Sequence, residues 1–165
     1  MDIFWNVAYI IINTFQVMPM RYLLFAVFGI LISIIDCKTF RIPNFILLLY
    51  FFLMLIFDFP ISFSYIYDRL FAVLICFSIF LLIYHYSNGL GFGDVKYAAL
   101  LGYILGFEKT AFAFLFTAIS ALLIYFIGLK VCRWEKTAKL PFAPFLTFGA
   151  FMAELIIGFY GAGRV

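Results

Sequence analysis

Two aspartates stand out in a chain that otherwise reads as hydrocarbon. Asp36 closes an apolar run over residues 22–35, and Asp94 closes the polar island Asn88-Gly89-Leu90-Gly91-Phe92-Gly93-Asp94-Val95-Lys96. Ionisable groups at membrane depth are costly to keep and usually serve a function. If a packed interface brings two carboxyl groups together, they cannot both ionise cheaply, so one holds a proton while the other stays charged. The charged member can then take a proton from water as it attacks an amide carbon, while the protonated member donates to the carbonyl oxygen. Such hydrolysis needs no serine or cysteine nucleophile. The same pair could instead hold a cation or relay a proton, and Glu154, inside a later apolar run, would extend such a path. For Glu154 itself a structural hydrogen bond ranks above a catalytic task, and the lone His85 reads as a headgroup or capping contact.

The residues around Asp94 are permissive ones. Glycines at every second position leave the backbone free and let another chain come close, so Gly91 and Gly93 shape the approach to the carboxylate. Below it Ala98, Gly102 and Gly106 recur every four residues, a stripe of little bulk against which a neighbouring helix can press. Leu101 then falls on a lipid-facing side. Cys37, Cys76 and Cys132 stand far apart with no C-x-x-C spacing, so no metal site is expected and buried thiols are the default.

The elements that position these groups are membrane helices. The chain has 165 residues, 68% of them hydrophobic and 12% charged, with a mean hydropathy of +1.19, outside the range of soluble domains. Long apolar runs without strand alternation predict an all-α polytopic transmembrane bundle of six to seven helices. Residues 1–165 read as one integral membrane domain with its core at 21–160. Residues 1–20 are an extra amino-terminal span or an interfacial helix, because the run over 3–17 is short and interrupted by Asn6, Asn13 and Gln16, and Pro19 with Arg21 marks a break. Met1-Asp2-Ile3 lacks the basic start of a signal peptide, so this run is kept in the mature protein. The further spans are expected at 22–35, 44–57, 70–86, 95–107 and 110–129, with a last one that runs to about residue 160 beyond the Leu140-Pro141-Phe142-Ala143-Pro144-Phe145 stretch, and with Pro43 suiting the first turn of the span at 44–57. The span at 95–107 is short enough to need a thinned bilayer or polar ends within the interface. The charge of +3 is small and dispersed, which gives no support for nucleic-acid binding.

Two spans lie between Asp36 and Asp94, so both face one side. That side also carries Lys38, Arg41, Lys96, Lys130, Arg133, Lys136 and Lys139, against Arg21, Arg69, Lys109 and Arg164 on the other. Cytoplasmic loops are enriched in Lys and Arg, so the two-aspartate face is expected inside, with Asp2 inside as well if the first run spans.

Three motifs together carry a resemblance. Asp36 followed by Arg41-Ile42-Pro43-Asn44, then Gly91-Phe92-Gly93-Asp94-Val95-Lys96 with Ala98 and Gly102 behind, then Leu140-Pro141-Phe142-Ala143-Pro144-Phe145 closely resemble the type IV prepilin peptidases, membrane aspartic proteases of the GxGD class. The resemblance implies that Asp36 and Asp94 are the catalytic pair, that Lys96, Pro43, Pro141 and Pro144 support the site, and that no cofactor is needed. It implies prepilin, pseudopilin or preflagellin-like substrates, cut at the cytoplasmic face of the inner membrane. The basic face would repel a basic leader, so anionic lipid or Asp36 and Glu135 would have to offset it. Longer members carry a cysteine-containing insertion and methylate the new amino terminus from S-adenosylmethionine; without that insertion methyl transfer is not expected here. Presenilin relatives share the glycine-aspartate element, but this chain has no Pro-Ala-Leu motif. Two other classes stay open: a small transporter or cation-conducting bundle using Asp36, Asp94 and Glu154, and a non-catalytic part of a pilus assembly platform. No oligomeric state is assigned. In a background freed of the native cysteines, Thr39→Cys and Thr137→Cys should both be labelled from the cytoplasm; labelling of Thr39→Cys from outside would reverse the orientation.

Overall fold

The computed structural model describes the backbone of residues 2–58, 63–86, 89–130 and 140–162, with side chains described at those positions except 2–19, 58, 63–65 and 158–162. The described residues form six helices and no strand: α1 Asp2–Thr39, α2 Asn44–Asp58, α3 Phe63–Tyr86, α4 Phe92–Leu105, α5 Phe107–Lys130 and α6 Ala143–Ala162. Segments Met20–Thr39, Ile66–Tyr86 and Phe107–Lys130 are long and apolar enough to cross a membrane. The protein is an all-α membrane helix bundle. Its outer helices present Leu74, Leu82, Leu122 and Phe126 outward, the surface that a hydrocarbon solvent demands.

The centre of the bundle is α4. Ten of its fourteen residues are buried, on every side of the helix, as expected of a helix that is apolar all round. It spans only about 21 Å at 1.5 Å per residue. That length would mismatch a bilayer core of about 30 Å, but α4 is sheathed by other helices, so no lipid has to thin around it. α3 packs antiparallel to α4 at very short range. A Cβ on Gly102 would stand 2.8 Å from Cys76 Sγ and 3.1 Å from the Ala72 carbonyl oxygen. α6 lies antiparallel to both α1 and α5, and Gly149 lets it press onto Ala113 and Thr117 of α5.

Several expectations are corrected. Pro19 does not end a helix, because the run at 3–17 and the next span are one continuous α1. An interior proline forfeits one backbone hydrogen bond, a loss that membrane helices tolerate. A single helix of this length carries Asp2 away from the Asp36 end instead of returning it to the same side. Gly106 faces α3 as Gly102 does, since a Cβ on it would meet the Asp68 carboxylate, but it also ends the helix. It is the C-cap of α4, at φ 77°, with its N–H bonded to the Gly102 carbonyl at 3.0 Å. The turn therefore falls at Gly106, earlier than the one expected at Glu108-Lys109, and α5 begins at once; Asp68 Oδ2 accepts the Phe107 N–H at 3.1 Å. Leu101 is fully buried and faces no lipid. α3 begins at Phe63, ahead of the expected residue 70, and α4 begins at Phe92, ahead of residue 95. Asn88 and the basic loop at 131–139 lie outside the described residues.

Wedging α4 from α3 should be costly. Gly102→Leu is expected to lower the thermal stability of the solubilised protein by about 1–3 kcal/mol, the usual cost of overpacking. Leu122→Ala, at an outward position 56% exposed, should leave it close to wild type.

Candidate active site

At one end of the bundle the chain brings together the last turn of α1 and the first turns of α2, α4 and α6. Asp36 and Asp94 are both buried there, 4% and 7% exposed, and close enough to feel each other's charge. Burying a carboxylate requires donors, and a helix in hydrocarbon has spare N–H groups only in its first turn. The site uses two such ends. Asp36 Oδ2 accepts the Ala143 N–H at 3.0 Å, from the first residue of α6. Asp94 is the third residue of α4 and folds back so that its Oδ2 accepts the Gly91 N–H at 3.1 Å, the return half of a capping box. Both carboxylates thus sit at positive helix ends.

The surrounding motif residues each have a local cause. Phe142 caps α6, its carbonyl accepting the Phe145 and Leu146 N–H groups at 3.1 and 3.2 Å. Pro141 precedes that cap and Pro144 is the second residue of α6, where its missing N–H costs nothing. Pro43 caps α2 through its carbonyl, which accepts from Ile46 and Leu47. It stands one residue ahead of the helix instead of in its first turn. A Cβ on Gly93 would lie 3.0 Å from Ile42 Cβ, so glycine there lets the α1–α2 link rest on the start of α4. A Cβ on Gly91 would meet Asp94 Oδ2 at 3.3 Å, whereas one on Gly89 would meet nothing within 4 Å. Lys96 Nζ donates to Asn44 Oδ1 at 2.9 Å and lies 4.8 Å from the centre of the Phe92 ring, tying α4 to α2.

Two buried side-chain oxygens have no hydrogen-bond partner among the described residues, the Tyr50 hydroxyl in the apolar core and Asp94 Oδ1 at the site, although nearly all such atoms in folded proteins have one. The second belongs to a carboxylate. An apolar groove of about 390 Å³ runs between α2, α3 and α4, lined by Leu47, Phe51, Val73, Leu100 and Tyr103, with Asn44 and Lys96 from the first turns of α2 and α4; neither aspartate lines it.

Glu154 is not part of this cluster. It lies eleven residues along α6 from Ala143, about 16 Å deeper by helix rise, and pairs with Lys109 Nζ at 2.8 and 2.9 Å. It shares a separate cavity of about 300 Å³ with Arg21, Asp68 and Arg69 at the opposite end. Among the described residues no three His, Cys, Asp or Glu side chains gather as metal ligands. Sequence reading missed Ala143 as the donor to Asp36. The Pro141–Phe145 motif was visible, but nothing in it says which amide would point at an acid more than a hundred residues away.

Residues 23–129, more than half of the chain, match the model of the type IV leader peptidase family. The chain belongs to this family. It is 30% identical over 139 residues to a prepilin leader peptidase/N-methyltransferase of Pectobacterium carotovorum subsp. carotovorum, covering 80% of this chain and 50% of that protein. It is 36% identical over 77 residues to the protein of the same description in Bacillus subtilis (strain 168), covering 44% of this chain and 31% of that protein. The chain therefore spans half or less of the length of these curated relatives. No solved structure matches it. For this leader peptidase family member, Gly93→Val should force Ile42 away and speed amide hydrogen exchange over residues 91–96, while Gly89→Val should leave exchange there unchanged.

Proposed function

We propose that this chain is a membrane-embedded aspartic endopeptidase that removes the leader of a prepilin or a related precursor. The observation that carries this is Asp94 Oδ1, a buried carboxylate oxygen with no donor among the described residues, at the same end of the bundle as a second buried carboxyl group, Asp36. Its unmet demand suits a water or a substrate carbonyl that is present only during reaction. The ionised aspartate accepts a proton from water as the water oxygen bonds to the scissile carbonyl carbon. The protonated one donates to the carbonyl oxygen. Reversing these roles delivers a proton to the amide nitrogen as the C–N bond breaks. The N–H groups of Gly91 and Ala143 hold the two carboxyls in place without competing for the reacting oxygens. The apolar groove between α2, α3 and α4 accommodates the hydrophobic segment that follows the cleavage point, with Lys96 and Asn44 at the membrane boundary.

Orientation follows from charge. Lys38, Arg41, Lys96 and Lys130 lie at the Asp36 end of the bundle, and the sequence between Lys130 and Leu140, outside the described residues, carries three more basic residues, which supports a cytoplasmic site in the inner membrane. To these residues we assign the peptidase step alone and no methyl transfer. The transporter alternative draws no support from Glu154, which is paired with Lys109 at the far end.

Co-expression with a candidate prepilin, followed by its mass shift, tests the proposal. Asp36→Asn and Asp94→Asn should each reduce cleavage by about a hundredfold to ten-thousandfold, the span usual for a lost general acid or base. Glu154→Gln should stay within a few-fold of wild type. Near-normal trimming by either Asp variant would remove the dyad.

A further inference from the structure

One helical turn beneath the aspartates, three hydroxyl groups from three helices meet in an otherwise apolar interior. Thr147 of α6 is the hub. Its Oγ1 lies 2.8 Å from the Tyr97 hydroxyl of α4 and 2.9 Å from Ser33 Oγ of α1. It can donate to its own helix at the Ala143 carbonyl, 2.9 Å away, or across to the Gly29 carbonyl at 3.3 Å. Ser33 Oγ reaches the same Gly29 carbonyl at 2.7 Å. Tyr97 is fully buried and Thr147 nearly so, and a consistent set of donors exists that links all three helices: Tyr97 and Ser33 both donate to Thr147, which donates to Ala143. Gly29 makes room for the cluster, since a Cβ there would stand 2.7 Å from Thr147 Cγ2 and 3.7 Å from the Tyr97 hydroxyl.

The register of these groups is what gives them a role. Ser33 precedes Asp36 by three residues, Tyr97 follows Asp94 by three, and Thr147 follows Ala143, the donor to Asp36, by four. Each hydroxyl therefore shares a helix face with one group of the site, one turn away. Fixing the three hydroxyls fixes how α1, α4 and α6 are rotated and how far each is pushed along its axis. In hydrocarbon a hydroxyl without a partner is unfavourable, so the cluster resists slippage in a way that exchangeable apolar contacts do not.

We propose that Ser33, Tyr97 and Thr147 are positioning residues that set the distance and orientation of Asp36 against Asp94. This rests on the two-carboxylate peptidase assignment above. Thr147→Val keeps the shape and removes the hub; kcat on a prepilin should fall about 10- to 100-fold with KM unchanged, as expected when catalytic groups shift by about 1 Å. Thr147→Ser should restore most of the rate. Tyr97→Phe should lower kcat in the same direction, and the double variant should be no slower than Thr147→Val alone, because both remove one shared contact. A second measurement needs no activity. In a background without native cysteines, Asp36→Cys paired with Asp94→Cys is cross-linked in membranes by thiol reagents of graded length, and adding Thr147→Val or Tyr97→Phe should change the length that bridges them best. The proposal is overturned if Thr147→Val turns over at the wild-type rate, if Thr147→Ser is as slow as Thr147→Val, if the loss lies in KM alone, or if the cross-linking profile is unmoved. If the wild-type chain cuts no prepilin, the peptidase assignment fails, and the cross-linking profile alone then decides whether the hydroxyls position the aspartates.

Discussion

The structure turns on how two carboxyl groups can be buried in a protein that offers them almost no polar company. Water supplies donors freely, whereas hydrocarbon supplies none, and the helices between Asp36 and Asp94 spend their backbone N–H groups internally. The donors that remain are those of a helix's first turn. The bundle therefore has to begin α4 and α6 at the level where α1 ends, and it does so with Gly91 and Ala143 each giving one N–H to one aspartate. The glycines and prolines of the motifs follow from that requirement. Glycine lets Asp94 fold back and lets Ile42 close over the start of α4; proline occupies helix starts where a missing N–H is harmless.

A second constraint follows from the first. If α4 starts at a buried acid, it has to lie inside the bundle, and a helix surrounded by others needs thin faces. Gly102 against Ala72 and Cys76 provides one, and fully buried Ala98 lies one turn nearer the acid. Enclosure also explains why fourteen residues suffice. The helix ends against protein, with Gly106 reversing the chain and Asp68 receiving the first N–H of α5.

Much of this was legible in the sequence because it is local. An acid after an apolar run, glycines beside a second acid, and a proline ahead of a helix are signals within a few residues, and they located Asp36, Asp94 and most spans. What was illegible depends on neighbours in space. Leu101 reads as lipid-facing only if α4 is assumed to have a lipid face, and enclosure removes that face. Gly106 keeps the four-residue spacing of the stripe, yet its positive φ makes it a cap, a distinction that spacing does not carry. Pro19 beside Arg21 reads as a break in any soluble helix, but α1 runs through it. Ser33 and Thr147 are 114 residues apart, each a single hydroxyl within an apolar run, and nothing in either run names the other.

The two ends of the bundle handle charge differently, and the contrast bears on which end is reactive. At the far end five charged side chains have partners: Lys109 with both oxygens of Glu154, Arg21 with the Ile104 carbonyl at 2.7 Å, Arg69 over the Tyr103 ring, and Asp68 with the Phe107 N–H. These contacts close the helix ends and stabilise what is already there. At the near end each aspartate receives a backbone donor, and one oxygen of Asp94 is left without any. A fold that leaves a buried carboxylate oxygen without a donor among the described residues holds that oxygen at a cost in stability. The Tyr50 hydroxyl shares that cost in the apolar core, but only at Asp94 does it fall on an acid, where the proposed peptidase chemistry can draw on it.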